Sequence, residues 1–286
     1  MSDYVLGPNL RDFEKQFSRL VNVTHRDSLM VFDDMLTYII GCFNPDNQAD
    51  PTWRYTKEQN VMFYDLMCEW LQVMQKMIDS RGWYDAFGDF FMSNVGKTSQ
   101  SYKGQFFTPH HICDFMARIT MDDKCEETPS TIPCNGFGRR MVVNDCACGS
   151  ARLLLAAHAV NIERGVRPCY YVGEDVDRIC CKMAAINMCA HGMFGEVVCH
   201  NSLTEPEQVN FGYIVNEGLY PFPAIPTIRI FEQPDRFVCC QVWKAKRLQE
   251  EQQPAVVVET KPESVPAKPR RKQAMAEQLT INFMDL

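Results

Sequence analysis

The 286-residue chain lacks the segments that send a protein into or across a membrane. No apolar run approaches the roughly 20 residues that a membrane-spanning helix needs. Residues 1–16 are polar and charged, without the apolar stretch of a signal peptide. We therefore expect a cytoplasmic protein with no membrane partner.

The 14 cysteines include no C-x-x-C pair. Structural zinc sites normally use two sets of ligands spaced two to four residues apart, and that arrangement is missing here. The nearest loose group of possible ligands is His110, His111, Cys113, Cys125 and Cys134. We expect no metal, and we expect reduced cysteines that act largely as small apolar residues.

Positive charge is also scarce, since the formal net charge is −7. Proteins that hold DNA through its phosphates are usually basic, at least locally. The overall charge therefore counts against strong DNA binding by this chain alone.

The first part of the chain has a helical pattern. Leu10, Phe13 and Phe17 recur at helical spacing, and a second apolar stripe follows over residues 28–40. Thr56 and Gln59 form a capping-box pattern that opens a long helix ending near Gly82. We predict a helical N-terminal domain over residues 1–103.

Residues 104–245 alternate between strand and helix patterns. Strands are predicted at 140–145, 170–175, 196–200 and 213–216, with helices at 151–164 and 178–191. This rhythm favours an α/β domain with a parallel, doubly wound sheet. Residues 227–231 and 236–243 have the pattern of a closing β-hairpin. From residue 246 to 286 we predict a disordered tail with an apolar tip.

Two loops of this sheet carry chemistry. Gly149, in the loop after the first strand, lets the backbone approach a ligand closely, and the following helix offers free N–H groups. The acidic Asp175 ends the second strand, where it can accept hydrogen bonds from both ribose hydroxyls of a nucleoside, while Asp177 caps the next helix. A plain tight turn is the alternative for the Gly149 loop. Its single glycine differs from the G-x-G-x-x-G of nicotinamide enzymes, which we rank low.

The segment at residues 104–109, taken together with three others, makes the pattern specific. Residues 104–109 read G-Q-F-F-T-P, residues 145–151 read D-C-A-C-G-S-A, residues 173–177 read G-E-D-V-D, and residues 85–91 read D-A-F-G-D-F-F. With these motifs, residues 85–216 resemble the N6-adenine DNA methylases, specifically the modification subunit of type I restriction systems. The resemblance implies a Rossmann-like S-adenosylmethionine-dependent methyltransferase sheet.

The resemblance also implies the cofactor residues. In that family the G-Q-F-[YF]-T-P loop packs against the methionine part of the cofactor, and an acidic residue after the third strand holds its adenine. Here Asn201 stands in for that acid, and its amide can still hydrogen-bond adenine. The cofactor-binding residues assigned in this way are Phe107, Thr108, Pro109, Asp145, Cys148, Gly149, Asp175 and Asn201.

The expected catalytic loop departs from the family pattern. The family ends its fourth strand with N-P-P-[FY], which holds the target amino group and stacks on the flipped base. Here Asn216 is in register, but Glu217 and Gly218 replace both prolines. We expect Asn216 to hold the amino group, with Tyr220 or Phe222 stacking on the base.

The resulting hypothesis is an S-adenosylmethionine-dependent enzyme that methylates adenine N6 in DNA. The alternative is a catalytically inactive relative that binds cofactor and DNA as an accessory subunit. A protein-glutamine methyltransferase ranks low because it lacks the G-Q-F-F-T-P segment. Expected partners are DNA, a specificity or other subunit, and a bacterial sliding clamp, whose docking peptides residues 278–283 resemble. A tail that folds back on its own domain is the alternative for that segment.

Overall fold

The computed structural model describes residues 8–46, 51–95, 107–121, 132–133, 139–140, 142–165, 169–203, 209, 211–217 and 225–244. Tyr220, Phe222, the predicted disordered tail at 246–286 and the segment at 278–283 lie outside the described residues. The division of the chain at residues 103 and 245 stays a prediction.

The N-terminal part is helical, as predicted. Its helices are α1 (Arg11–Thr24), α2 (Ser28–Phe43), α3 (Lys57–Arg81) and the short α4 (Ala86–Phe90), which continues into a π-helical turn at Phe91–Val95. The predicted capping box is present, because the Thr56 side chain accepts from the Gln59 backbone and the Gln59 side chain accepts from the Thr56 backbone. Gly82 ends α3 in the left-handed region, at φ +82°.

Aromatic packing fixes α4 against the other helices. Phe90 lies edge-on to Phe13 and Phe17, with ring centroids 5.0 and 4.9 Å apart, and Trp70 stacks on Phe87 at 5.1 Å. Rings at these separations stabilise packing beyond the area they bury. The stripes of apolar residues in this region are therefore core, and they hold the Asp85 turn that precedes α4 in place.

A five-stranded sheet forms the second part. Its strands, in the order in which they pair, are β3 (Val142–Asp145), β4 (Tyr170–Asp175), β5 (Gly195–Cys199), β6 (Phe211–Val215) and β7 (Ile228–Phe231). A separate ladder pairs β1 (Ile132–Pro133) with β2 (Arg139–Arg140). The main helices around the sheet are α5 (His110–Thr120), α6 (Arg152–Glu163) and α7 (Arg178–Ala190). The predicted α/β class is confirmed, and β3, β4 and β5 are parallel.

The fourth strand differs from the prediction of a parallel sheet. β6 lies beside β5 and runs antiparallel to it, and β7 is antiparallel to β6. A parallel connection needs a crossover of a dozen or more residues, usually a helix. Only residues 200–210 separate β5 from β6, so a hairpin-like return is the shorter path.

The predicted hairpin at 227–231 and 236–243 is also only half right. β7 is present, but residues 238–244 are helical. The buried Glu196 carboxylate accepts the backbone N–H groups of Val238 and Cys239 at 2.8 Å each, and the Tyr170 hydroxyl donates to it at 2.8 Å. A carboxylate at the first N–H groups of a helix stabilises that helix end.

One large apolar core joins the helices to one face of the sheet, and a smaller cluster around Phe237 covers β4, β5 and β6 from the other face. α2 packs directly on α7 and β7. Within the described residues, no helix is both long and apolar enough to cross a bilayer.

Candidate cofactor site

The carboxyl ends of the three parallel strands meet at one edge of the sheet, which we call the carboxyl edge. Asp145 ends β3, Asp175 ends β4, and Cys199 ends β5 beside Asp175. In open α/β sheets ligands bind at this edge. The loops that follow, residues 146–151, 176–177 and 200–203, form the candidate site.

Hydrogen bonds join the first two loops. The Gly149 backbone N–H donates to Oδ2 of Asp175 at 2.9 Å, and the Cys148 N–H donates to the Glu174 carbonyl at 2.9 Å. Gly149 has φ +54° and Ala151 φ +72°. The left-handed backbone turns the chain sharply from β3 into α6.

Phe107 packs directly over this loop. A Cβ atom on Gly149 would lie 3.0 Å from two carbon atoms of the Phe107 ring, so only glycine fits without displacing it. Two of the predicted cofactor residues, far apart in sequence, are therefore in contact. The neighbouring Thr108 takes part through its carbonyl, which accepts from Arg152 at 3.3 Å, and Pro109 precedes α5 as its N-cap.

The Asp175 carboxylate is held by backbone groups on both sides. Oδ2 accepts from Gly149, and Oδ1 accepts from the Asp177 N–H at 2.8 Å. A carboxylate has about four lone-pair directions, so each oxygen retains one for a ribose hydroxyl. Asp177 caps α7, as predicted, by accepting from Ile179 and Cys180.

Asp145 lies next to this carboxylate. Its Oδ1 accepts the Ala147 N–H at 3.2 Å. Burial raises the pKa of Asp145 above its ordinary range, and the nearby carboxylates of Asp175 and Glu174 raise it further. The edge is therefore an acidic surface that favours hydrogen-bond donors and positive charge, such as ribose hydroxyls and a sulfonium.

Asn201 lies in the third loop and is exposed. Its Oδ1 accepts the Leu203 N–H at 3.1 Å, and the adjacent Ser202 hydroxyl donates to the Cys146 carbonyl at 2.8 Å. The third loop is thus joined to the first. Cys148 contributes differently: its thiol is buried against Gly173, so only its backbone borders the site.

A buried polar cluster supports the edge from below. Glu174 accepts from the Asn144 amide at 2.9 Å and pairs with Nε2 of His200 at 2.6 Å. Burial alone would raise the pKa of Glu174, but the bonds from His200 and Asn144 outweigh burial and lower it below its ordinary value. This cluster fixes the ends of β3, β4 and β5 relative to one another.

The described geometry agrees with a comparison against known families. Residues 83–222 match the family model described as N-6 DNA Methylase. The matched segment covers just under half of the chain. It starts just before the Asp85 turn and includes all three loops of the carboxyl edge.

Other comparisons add less. No curated protein matches the chain. It is similar to a putative class I S-adenosylmethionine-dependent methyltransferase from Listeria monocytogenes, at 12% identity over 68% of this chain and 55% of that one, with a TM-score of 0.38. It is also similar to a type I restriction-modification system methyltransferase subunit from Streptococcus thermophilus, at 17% identity over 67% of this chain and 38% of that one, with a TM-score of 0.29. At these values neither structure adds an argument about strand order or site residues.

A buried ion cluster anchors the N-6 DNA methylase segment at its beginning. Arg152, the first residue of α6, donates from Nε to Asp85 and from Nη2 to Asp89, both at 2.6 Å. Asp85 also accepts from the Ser150 hydroxyl at 2.5 Å and from the Asn187 amide at 2.8 Å. All of these side chains are buried. The cluster sets the direction of α6 and so the position of the Gly149 loop.

The sequence did not assign a role to Arg152. Asp85 and Asp89 were part of the family resemblance, but their partner is more than sixty residues away in the chain. The available signal was an arginine at the start of a helix whose next five residues are apolar. Such a residue needs a buried partner, and the acidic D-A-F-G-D turn supplies two.

The loose group of possible metal ligands is not brought together as a site. Nε2 of His110 lies 3.1 Å from Asp89, and the Cys113 thiol donates to the Thr108 carbonyl at 3.6 Å. Cys125 and Cys134 lie outside the described residues. In the part of the chain that the structure describes, no three His, Cys, Asp or Glu side chains are grouped to hold a metal ion.

Asn216 does not lie at the carboxyl edge. Because β6 is antiparallel, Val215 pairs with Gly195 at the start of β5, whereas Phe211 pairs with Cys199 at its end. Asn216, five residues beyond Phe211, is therefore about 16 Å away along the sheet, at about 3.3 Å per residue. This position differs from the predicted catalytic one, and the antiparallel direction of β6 is the reason.

The contacts of Asn216 are structural in this arrangement. Its side chain is fully buried, donates to the Met193 carbonyl at 2.7 Å and to the Cys189 carbonyl at 3.3 Å, and accepts the Thr227 N–H at 3.1 Å. It has φ +56°, a conformation that asparagine tolerates better than most residues. Asn216 thus fixes the connection between α7 and β5 to the start of β7.

Proposed function

We propose that this chain binds S-adenosylmethionine at the carboxyl edge and transfers its methyl group to N6 of adenine in DNA. One observation carries the proposal: within the segment that matches the N-6 DNA methylase model, the Gly149 N–H binds the Asp175 carboxylate and Phe107 packs on the same loop, so three of the expected cofactor residues meet at the carboxyl edge. The residues present therefore fit a nucleoside cofactor.

Each loop has a role in this proposal. Asp175 accepts the ribose hydroxyls, Asn201 hydrogen-bonds the adenine ring, and Phe107 with Thr108 and Pro109 packs against the methionine part. The acidic Asp145 faces the positive charge of the cofactor. The cofactor supplies an electrophilic methyl group for a direct displacement that depends on positioning and needs no metal.

The groups that hold the target adenine are a separate matter. Asn216 is buried away from the carboxyl edge in this arrangement. The stacking role of Tyr220 or Phe222 stays a prediction. The chain also spans 55% and 38% of the two similar solved proteins. We further propose that DNA specificity comes from a partner subunit, because a net charge of −7 counts against strong DNA binding by this chain alone.

The test is methyl transfer from tritiated S-adenosylmethionine to mixed genomic DNA, followed by digestion and chromatography for N6-methyladenine. Asp175→Ala is the matched inactive control. Label in N6-methyladenine with the wild type alone supports the proposal. Cofactor binding without labelled adenine would identify the accessory-subunit alternative. The absence of both cofactor binding and labelled adenine would overturn the proposed function and the accessory-subunit alternative.

A further inference from the structure

A cavity of about 450 Å³ opens between the helical part and the sheet. One wall is α2 with the turn Thr52–Arg54, and the other is α7, β6 and β7. Its inner end reaches the carboxyl edge, because Phe211 pairs with Cys199 and Arg178 directly follows Asp177. The volume lies in the range of small-molecule sites and is large enough for one nucleotide.

Most charges in the cavity are already compensated. Lys182 contacts Asp33 at 2.5 Å and the Thr37 hydroxyl at 2.7 Å, and Arg54 contacts Asp34 at 2.7 Å. These pairs hold the two walls and the turn in position. They leave little net charge for a ligand to meet.

Two charged side chains remain available. Arg178 is exposed and its guanidinium lies over the Phe211 ring, 4.5 Å from the centroid, without an ion pair to any described residue. Glu232, which directly follows β7, is also exposed and forms no ion pair with the part of the chain that the structure describes. The cavity thus offers one cation and one anion.

An aromatic side chain lies at the entrance. Trp53 is 77% exposed, although the Arg54 guanidinium lies 4.9 Å from its ring centroid. Exposed tryptophan is rare on soluble proteins because its large apolar surface is better buried. A ring presented beside cationic groups is a stacking platform for nucleobases.

We propose that this cavity is a subsite for one nucleotide of the DNA strand, with Trp53 stacking on the base and Arg178 contacting a phosphate. Glu232 accepts a hydrogen bond from an exocyclic amino group, which adenine and cytosine carry and thymine lacks. The inference rests on the proposed action on DNA. It accounts for DNA binding by an acidic chain, since the contact is local.

The test is fluorescence polarisation of short labelled oligodeoxyadenylate and oligothymidylate against the full chain. We expect Trp53→Ala to weaken binding about tenfold and Trp53→Phe to retain most of it, because stacking needs only a ring. Arg178→Ala should reduce the slope of log affinity against log salt by about 0.7, the value for one phosphate contact on a single strand. Glu232→Ala should reduce the preference for deoxyadenylate over thymidylate.

Trp243→Ala and Arg19→Ala are the matched controls, since both side chains are exposed and lie outside the cavity. Both should bind like the wild type.

The subsite would be overturned if the wild type bound no oligonucleotide, or if the Trp53 and Arg178 variants bound oligonucleotides as tightly as the wild type. Calorimetry with S-adenosylmethionine separates the two proposals: if cofactor binding is absent while the Trp53 and Arg178 effects hold, the subsite stands and the proposed function fails. If the Trp53 and Arg178 variants transfer methyl groups with an unchanged KM for DNA, the subsite is contradicted and the proposed function stands.

Discussion

Gly149 is restricted in two ways, by its positive φ and by the Phe107 ring over its Cα. Gly165 provides a control, because it has φ +65° but a Cβ atom added there would meet nothing within 4 Å. We expect Gly149→Ala to weaken calorimetric binding of S-adenosylmethionine, because the Phe107 ring must shift by a few tenths of an ångström. Gly165→Ala should carry only the backbone strain, about 1 kcal/mol, and bind normally.

Equal affinities for the cofactor in the two alanine variants would contradict this account of the loop. Thermal unfolding of both variants, measured in parallel, shows whether any loss of binding exceeds the common effect of the left-handed backbone.

Arg152 provides the second residue-level prediction. Arg152→Ala leaves Asp85 and Asp89 buried without their cation, so we expect a loss of about 3–5 kcal/mol in the free energy of unfolding. Arg118→Ala is the control, since its pair with Glu163 is more than half exposed and screened by solvent, so its loss should change stability little. Urea denaturation measures both. If Arg152→Ala lost no more unfolding free energy than Arg118→Ala, the cluster would not anchor α6.

At the scale of residues, the sequence predicted the roles that depend only on neighbouring residues in the chain. Asp177 as a helix cap, Thr56 in a capping box and Gly82 at a helix end follow from patterns within a few residues. The contact of Arg152 with Asp85 did not follow, because it joins two segments whose relative position depends on tertiary packing.

At the scale of elements, strand direction was the difficult property. Alternating or continuous apolar residues predict that β6 is a strand, but they are the same for either direction. The direction depends on the connection from β5, whose residues 200–210 are too few for a typical crossover helix. The position of Asn216 changed with that direction, from the carboxyl edge to the opposite end of the sheet.

Asn216→Ala tests this placement. The change leaves the Met193 carbonyl and the Thr227 N–H without their partner and places alanine at a positive φ. We expect a loss of about 2–4 kcal/mol in unfolding free energy, with cofactor affinity and methyl transfer per folded molecule retained. Wild-type stability combined with abolished methyl transfer would instead place Asn216 at the reacting centre.

At the scale of the whole molecule, two half-buried histidines connect the helical part to the sheet. The His158 ring lies 3.1 Å from the His191 carbonyl and 3.2 Å from the Tyr171 hydroxyl. The His191 ring accepts the Tyr84 N–H at 3.1 Å and lies 2.6 Å from the Asn187 carbonyl. The His191 ring thus pairs one donor with one acceptor, which requires its neutral form.

These histidines predict a pH dependence. Burial lowers the pKa of both imidazoles from about 6.5 to about 4, and for His158 the neighbouring His191 adds to the effect. The unfolded chain therefore binds more protons between these values. Their stabilisation is complete above about pH 6.5 and is lost as the pH falls toward 4, by a few kcal/mol. Urea denaturation across this range should show the decline, and a flatter profile is expected for His191→Gln. Unchanged slopes in that variant would contradict the assignment.

The most direct test of the cofactor site is calorimetric titration of the full chain with S-adenosylmethionine, repeated for Asp175→Ala below the unfolding temperature of that variant. We expect one binding event per chain. The variant should lose about 2–4 kcal/mol of binding free energy, since in the proposed site the Asp175 carboxylate accepts two hydrogen bonds from the ribose hydroxyls. No detectable binding of S-adenosylmethionine or its demethylated product by the wild type, or equal affinity in Asp175→Ala, would contradict a cofactor site at the carboxyl edge.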